Sequence, residues 1–179
     1  VYAKESPVAF LKKILAPMTL AFSTSSSAAC IPLSLKTLKE EFNVEEKISS
    51  FTIPLGATIN MDGTAIMQGV ATVFIAQLYN IHLTTNDYFM VVLTAVLASI
   101  GTAGVPGVGT IMLSMVLSQV GLPLEGIGMI LAVDRIVDMG RTTVNLIGNC
   151  VATVVIARWE NEFDYVKMHE FVKENKAKK

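Results

Sequence analysis

Basic residues are missing from the middle of this chain. No Lys or Arg occurs between Lys47 and Arg135, and residues 48–133 contain only three acids, Asp62, Asp87 and Glu125. Soluble domains carry charge at about a quarter of their positions, so so long a run with so little charge argues against a water-facing surface. Cysteine is scarce as well: Cys30 and Cys150 stand far apart in apolar surroundings, without C-x-x-C or Cys/His spacing. That excludes a disulfide framework and a thiolate metal site and leaves buried free thiols. His82 and His169 are isolated, so no histidine metal centre is expected. No basic patch with interleaved aromatics occurs, which removes nucleic acid from the expected partners. The first residue is Val1, with neither an initiator Met nor a basic-then-apolar leader, and the chain reads as a piece of a longer polypeptide whose first half is missing.

What is present is apolar. Hydrophobic residues fill 52% of the 179 positions and mean hydropathy is +0.55, the composition of an integral membrane protein. Crossing about 30 Å of hydrocarbon takes about 20 helical residues, and four segments qualify. Residues 14–35 are uncharged but interrupted by Pro17, the run Ser23 to Ser27, and Pro32. Residues 48–79 are apolar around a break at Asn60, Met61, Asp62, Gly63 and Thr64. Residues 88–122 are too long for one upright span and carry a Gly/Pro-rich centre from Gly101 to Gly109. Residues 126–158 are long enough to span with a tilt and end at Arg158 and Trp159, an interfacial anchor pair.

The first and third segments each have two short arms around a polar or glycine-rich tip, and read as re-entrant hairpins that need protein or water around them. A plain span is the alternative for the first. Charge separates the two readings. With a hairpin, Lys4, Lys12, Lys13, Lys36, Lys39, Lys47, Arg158, Lys167 and the lysines beyond share one side, while the connections Asn80–Asp87 and Gly121–Glu125, which hold no Lys or Arg, face the other. With a span that positive-inside bias is lost. The expected fold is an all-α membrane protein: residues 1–47 form a re-entrant hairpin and cytoplasmic loop, 48–84 a broken transmembrane helix, and 85–123 a second re-entrant hairpin. Residues 124–159 form a long transmembrane helix, and 160–179 a cytoplasmic tail with an amphipathic helix through Phe163, Val166 and Phe171.

Residues 134–149 carry a polar stripe. At about 100° per helical residue, Asp134, Asp138, Arg141, Thr142, Asn145 and Asn149 fall within an arc of about 100°. The other faces are Ile, Val, Leu and Ala. Two carboxylates and a guanidinium are costly in lipid unless they line a cavity, so the stripe marks a ligand or ion site. Arg141 presents a planar fork of donors suited to bidentate capture of a carboxylate. Asp138, one turn away, is placed to neutralise Arg141 as a structural ion pair. Metal cations need oxygen ligands, which unwound backbone beside an intramembrane acid supplies. Asp62 and Asn60 at the second-segment break are the candidates, the alternative for Asp62 being a helix cap at a kink.

The segments LGATINMDGT (Leu55 to Thr64), STSSSAA (Ser23 to Ala29), ASIGTAGVPGVG (Ala98 to Gly109) and DMGRTTVNLIGN (Asp138 to Asn149) together resemble the dicarboxylate/amino acid:cation symporter family, over essentially the whole chain. The resemblance implies the carboxyl-terminal transport core of the glutamate transporter fold, without the preceding scaffold helices. It implies a homotrimer in the full-length protein, contact with membrane lipid, and a multi-pass place in the cell inner membrane. It implies no enzyme and no cofactor, but symport of L-glutamate or L-aspartate driven by a gradient of sodium ions or protons. By the same resemblance Arg141 takes the substrate side-chain carboxylate with Thr64 helping, and Asp138 binds the α-ammonium. Asn145 and the serine tip, Ser25, Ser26 and Ser27 with Ser26 foremost, hold the α-carboxylate, with Thr142 in the same set and the backbone at Val105 and Gly109 completing the pocket. The resemblance assigns Gly56, Asn145 and Asn149 to one sodium site, and Thr58, Met61, Ser99, Ile100 and Thr102 to another, beside Asn60 and Asp62.

The chain departs from the family pattern in places. Asn149 stands where sodium-coupled members usually have Asp, which weakens one sodium site and leaves proton coupling open. Thr24 occupies the place where archaeal members carry an arginine near the substrate; animal members carry theirs on the last helix, near Asp134 here. This chain has neither, although Arg135 is adjacent. Gln68 stands where animal members have a glutamate linked to proton and potassium coupling, so potassium counter-transport is not expected, and Met67 replaces the usual Tyr. The alternatives are symport of a C4-dicarboxylate or a neutral amino acid within the family, or an intramembrane hydrolase using one of Ser25, Ser26 or Ser27 with Asp62 or Asp138. The hydrolase lacks a His or Lys base beside a serine. A nucleotide cradle at the glycine tip lacks the Gly-Lys-Ser/Thr ending.

Overall fold

The computed structural model describes residues 6–100 and 104–160 together with 168, 170 and 173; Thr102 and the tail residues Phe163, Val166 and Phe171 lie outside them. Among the described residues there are nine α-helices, one 3-10 turn and no strand. Helix α1 (Pro7–Lys13) starts at Ser6, whose hydroxyl accepts the Ala9 N–H at 3.1 Å. The first hairpin has arms α2 (Leu15–Thr24) and α3 (Ser27–Phe42). Between them Ser25 is left-handed, at φ 53°, and Ser26 is extended, its hydroxyl accepting the Ala29 N–H at 3.2 Å. Serine hydroxyls that bond nearby backbone compete with helix continuation, so the serine run both ends one arm and caps the next.

The second segment is broken as its sequence predicts. Helices α4 (Glu46–Ile59) and α5 (Asp62–Leu78) are separated by Asn60 and Met61, with ψ at 75° and 50°. Helix α6 (Thr85–Ser99) opens on a reciprocal cap between Thr84 and Asp87, and hydrogen bonds from the Thr84 backbone and hydroxyl hold the Asp87 carboxyl below the usual range. Helix α7 (Val108–Gln119) follows Gly107, whose φ of 81° favours glycine. The stretch expected as one final helix divides into a 3-10 turn at Leu124–Gly126, α8 (Ile127–Leu131) and α9 (Asp134–Trp159). Pro123, Gly126 and Gly128 make a poor helix start, and the chain passes into α9 through a turn in which the Val133 N–H donates to the Ile130 carbonyl at 3.0 Å.

Helix α9 is the axis of the fold, packed against α2, α3, α4, α5 and α8. One apolar core joins the first hairpin and α4 to α9 through Ile14, Leu38, Phe42, Ile53, Leu146 and Val154. A second joins α5 to α7 and α8 through Met67, Ile75, Leu113, Leu117 and Ile130. Polarity runs against the usual order: Thr64, Gln68, Thr72, Asp138, Asn145 and Thr153 are buried, while Phe51, Ile66, Val70, Phe89, Leu97, Ile111 and Ile136 are exposed. Among the described residues no helix is both long and apolar enough to cross a membrane by itself. The break divides one expected crossing between α4 and α5, and α9, though 26 residues long, loses hydropathy to its polar stripe.

Candidate functional site

The stripe on α9 faces inward. Asp138 and Arg141 are 2% and 8% exposed and form an ion pair one turn apart, to which the Thr142 hydroxyl adds a bond to Asp138 Oδ1 at 3.5 Å. The other oxygen, Asp138 Oδ2, accepts the Gly107 N–H from the second hairpin at 3.0 Å. Arg141 thus spends one nitrogen on Asp138. Among the described residues its Nε and Nη1 have no hydrogen-bond partner. A buried guanidinium with unpaired donors carries a desolvation cost that only an acceptor removes. Gly109 lies against this group so closely that a Cβ there would overlap Arg141 Nη1.

The two hairpin tips meet beside that guanidinium. The Gly104 carbonyl accepts both the Ser26 hydroxyl, at 3.0 Å, and the Ala28 N–H, at 3.3 Å. The small cavity beneath is lined by Ser25, Ser27, Met61, Thr64, Gly104, Val105, Arg141, Thr142 and Asn145, with a volume of about 10 Å³, room for about one water molecule. Seven residues singled out as substrate ligands, Ser25, Ser27, Thr64, Val105, Arg141, Thr142 and Asn145, therefore line one cavity. Ser26 spends its hydroxyl on Gly104, Asp138 is turned to Arg141, and Gly109 covers Arg141 from above.

Asn145 has a second task that its place in the stripe did not reveal. Its Oδ1 accepts the N–H groups of Gly63, at 2.8 Å, and Thr64, at 3.3 Å, while Nδ2 donates to the Thr64 hydroxyl at 3.2 Å. It thereby satisfies the first donors of α5 at the break, a cap supplied from another helix. Among the described residues the N-cap of α5, Met61, makes no side-chain cap hydrogen bond, and Asp62, at the first position of α5, is exposed. A second small cavity brings together Gly56, Asn60, Asn145 and Asn149, with Asn149 Nδ2 donating to the Ile53 carbonyl at 2.9 Å. Asp62 does not line it; a Cβ on Gly148 of α9 would overlap both Asp62 Oδ2 and Asn60 Nδ2. The other proposed cation ligands are more dispersed: Thr58 and Ser99 bond carbonyls of their own helices at 2.8 Å each, Ile100 is exposed, and Met61 is buried with its sulfur facing Asn145. Among the described residues no three His, Cys, Asp or Glu side chains cluster to hold a metal.

Residues 1–159 match the model of the sodium:dicarboxylate symporter family. The chain belongs to that family. Among relatives of this symporter chain, the human neutral amino acid transporter A is 43% identical over 156 residues, 87% of this chain and 29% of the relative. The proton/glutamate-aspartate symporter of Escherichia coli is 43% identical over 157 residues, 88% of this chain and 36% of the relative. The proton/sodium-glutamate symport protein of Bacillus caldotenax is 39% identical over 157 residues, 88% and 37% of the two chains. The family and these relatives are transporters, not enzymes. This symporter chain spans about a third of the length of the curated relatives it matches.

Proposed function

We propose that this chain is the carboxyl-terminal transport core of a membrane symporter that takes up an acidic amino acid, L-glutamate or L-aspartate, on a sodium or proton gradient. The observation that carries the reading is the unpartnered, buried Nε and Nη1 of Arg141 at the wall of the cavity beneath the two hairpin tips. The guanidinium is paired with Asp138. An amino dicarboxylate lets both charges exchange partners: its side-chain carboxylate takes the Arg141 fork and its ammonium takes Asp138, so no buried charge is stranded. Thr64, Thr142, Asn145, the serine tip and the backbone at Val105 and Gly109 then bind the rest. A neutral amino acid, the substrate named for one relative, leaves the two free donors unpaired, and the acidic reading is preferred for that reason.

In this reading the second hairpin lifts to admit the ligand. Gly107, left-handed and bonded through its N–H to Asp138, is where that motion is cheapest. Residues 1–47, 48–84, 85–123, 124–159 and 160–179 then serve as hairpin and loop, broken helix, second hairpin, substrate helix and tail. The exposed Phe51, Ile66, Val70 and Phe89 face lipid or the scaffold helices of a full-length, homotrimeric protein in the inner membrane.

The sodium ions or protons enter as co-substrates. Gly56, Asn60, Asn145 and Asn149 offer carbonyl and amide oxygens to a cation, Asp62 stands near them, and Thr58, Met61, Ser99, Ile100 and Thr102 form the other set. Asn149 brings no negative charge. In the full-length protein reconstituted in liposomes, labelled L-aspartate uptake is measured under a sodium gradient and then a proton gradient, each with the other ion clamped. Uptake under neither overturns the proposal. Asn149→Asp is expected to raise apparent sodium affinity by about tenfold or more, the worth of one added carboxylate beside a cation in a poorly solvated site; an unchanged sodium response removes the cation from that position.

A further inference from the structure

Helix α9 begins with two adjacent charged residues, and each reaches a different hairpin. Asp134, half-buried, accepts a hydrogen bond from the hydroxyl of Thr110 in α7. Arg135 turns the other way: Nη1 donates to the Ser25 hydroxyl at 3.3 Å and Nη2 to the Ser23 carbonyl at 3.4 Å. Neighbours on a helix point about 100° apart, so consecutive residues serve elements on separate sides. Thr110 follows Gly109, which covers Arg141, and Ser25 is the left-handed turn residue whose placement sets where the serine tip lies.

We propose that Asp134 and Arg135 form a two-sided clasp, Asp134 positioning the second hairpin and Arg135 the first, so that the two walls of the pocket are registered against α9. The proposal rests on the transport reading above for its functional consequence. Neither residue touches the substrate; each acts through the segment it holds. The Arg135 fork suits this task because it spans a hydroxyl and a carbonyl two residues apart at once, which a lysine head does not.

In full-length protein in liposomes, Arg135→Ala is expected to raise KM for L-aspartate about tenfold, the scale of losing a hydrogen bond to a charged group, while maximal uptake per folded transporter stays close to wild type. Arg135→Lys restores part of the affinity. Asp134→Ala speeds substrate release, whereas Asp134→Asn, which keeps an acceptor for Thr110, does so far less. Amide hydrogen exchange gives a readout that needs no substrate: Arg135→Ala loosens residues 23–29 and spares 104–110, and Asp134→Ala does the reverse. An unchanged KM in Arg135→Ala overturns the clasp, as does exchange that rises equally in both hairpins or in neither. A wild-type protein that takes up no aspartate sinks the transport reading instead, and the exchange pattern then judges the clasp alone.

Discussion

Arg141→Ala in the full-length protein is expected to abolish uptake of labelled L-aspartate, lowering kcat/KM by at least about a hundredfold. The estimate follows from what is removed. Breaking a buried charge pair costs about 3–5 kcal/mol, and each 1.4 kcal/mol or so is tenfold. Part of that loss falls on stability, because Asp138 keeps its bonds from Gly107 and Thr142 but loses its buried counter-charge. Arg141→Lys separates the contributions: the ammonium still neutralises Asp138, but the fork that offers Nε and Nη1 to a ligand is gone. The lysine variant is therefore expected to fold with near-normal thermal stability and to transport poorly. Undiminished aspartate uptake by either variant would remove Arg141 from the substrate site, and a lysine variant that gains affinity for neutral amino acids would locate acid selection in the fork itself.

Much of this arrangement was legible in the sequence, for identifiable reasons. The stripe from Asp134 to Asn149 obeys helical periodicity, and the structure turns its central members inward. The serine turn is encoded by residues that compete locally for backbone hydrogen bonds, whereas the break at Asn60 and Met61 is marked in the sequence by polar residues in an apolar run but is capped from α9. Contacts across the chain were not legible. Nothing in the pattern paired the Gly104 carbonyl with Ser26, Gly107 with Asp138, or the Gln68 side chain with the Gly109 carbonyl at 3.3 Å. Each uses a backbone group, which every residue type supplies. The cap from Asn145 to α5 was hidden for a related reason: an N-cap is sought in the residues just before a helix, and this one comes from α9, 81 to 82 residues away. The division of residues 124–159 shows the limit of hydropathy, which marks an apolar stretch without marking where the helix bends.

Gly63→Ala, in the first turn of α5, is expected to destabilise the protein by up to about 2 kcal/mol, against the ordinary trend for glycine in a helix. Alanine in place of glycine normally adds about 1 kcal/mol to a helix. Gly69, also in α5, has open space where its Cβ would sit, so Gly69→Ala should follow the trend and raise the melting temperature. At Gly63 a Cβ would overlap the Arg141 backbone carbonyl and lie 3.0 Å from Val144 Cβ. Helix backbone cannot step aside as a side chain can, and overpacking of this kind costs about 1–3 kcal/mol. Small residues at such a crossing let two membrane helices approach closely, and here the approach is what brings Asn145 within reach of the α5 N-terminus. Gly109→Ala provides the contrast, since the added methyl meets the far end of the Arg141 side chain, not backbone. The guanidinium can yield, so stability should change little while the fork is pushed out of place and KM for aspartate rises about tenfold, a cost on the order of one charged hydrogen bond. Thermal unfolding and uptake measured on the same three variants test the distinction. If Gly63→Ala proves as stable as Gly69→Ala, the helices are free to separate and the α5–α9 crossing does not register the site. If Gly109→Ala melts early with an unchanged KM, the second hairpin packs on α9 for stability alone.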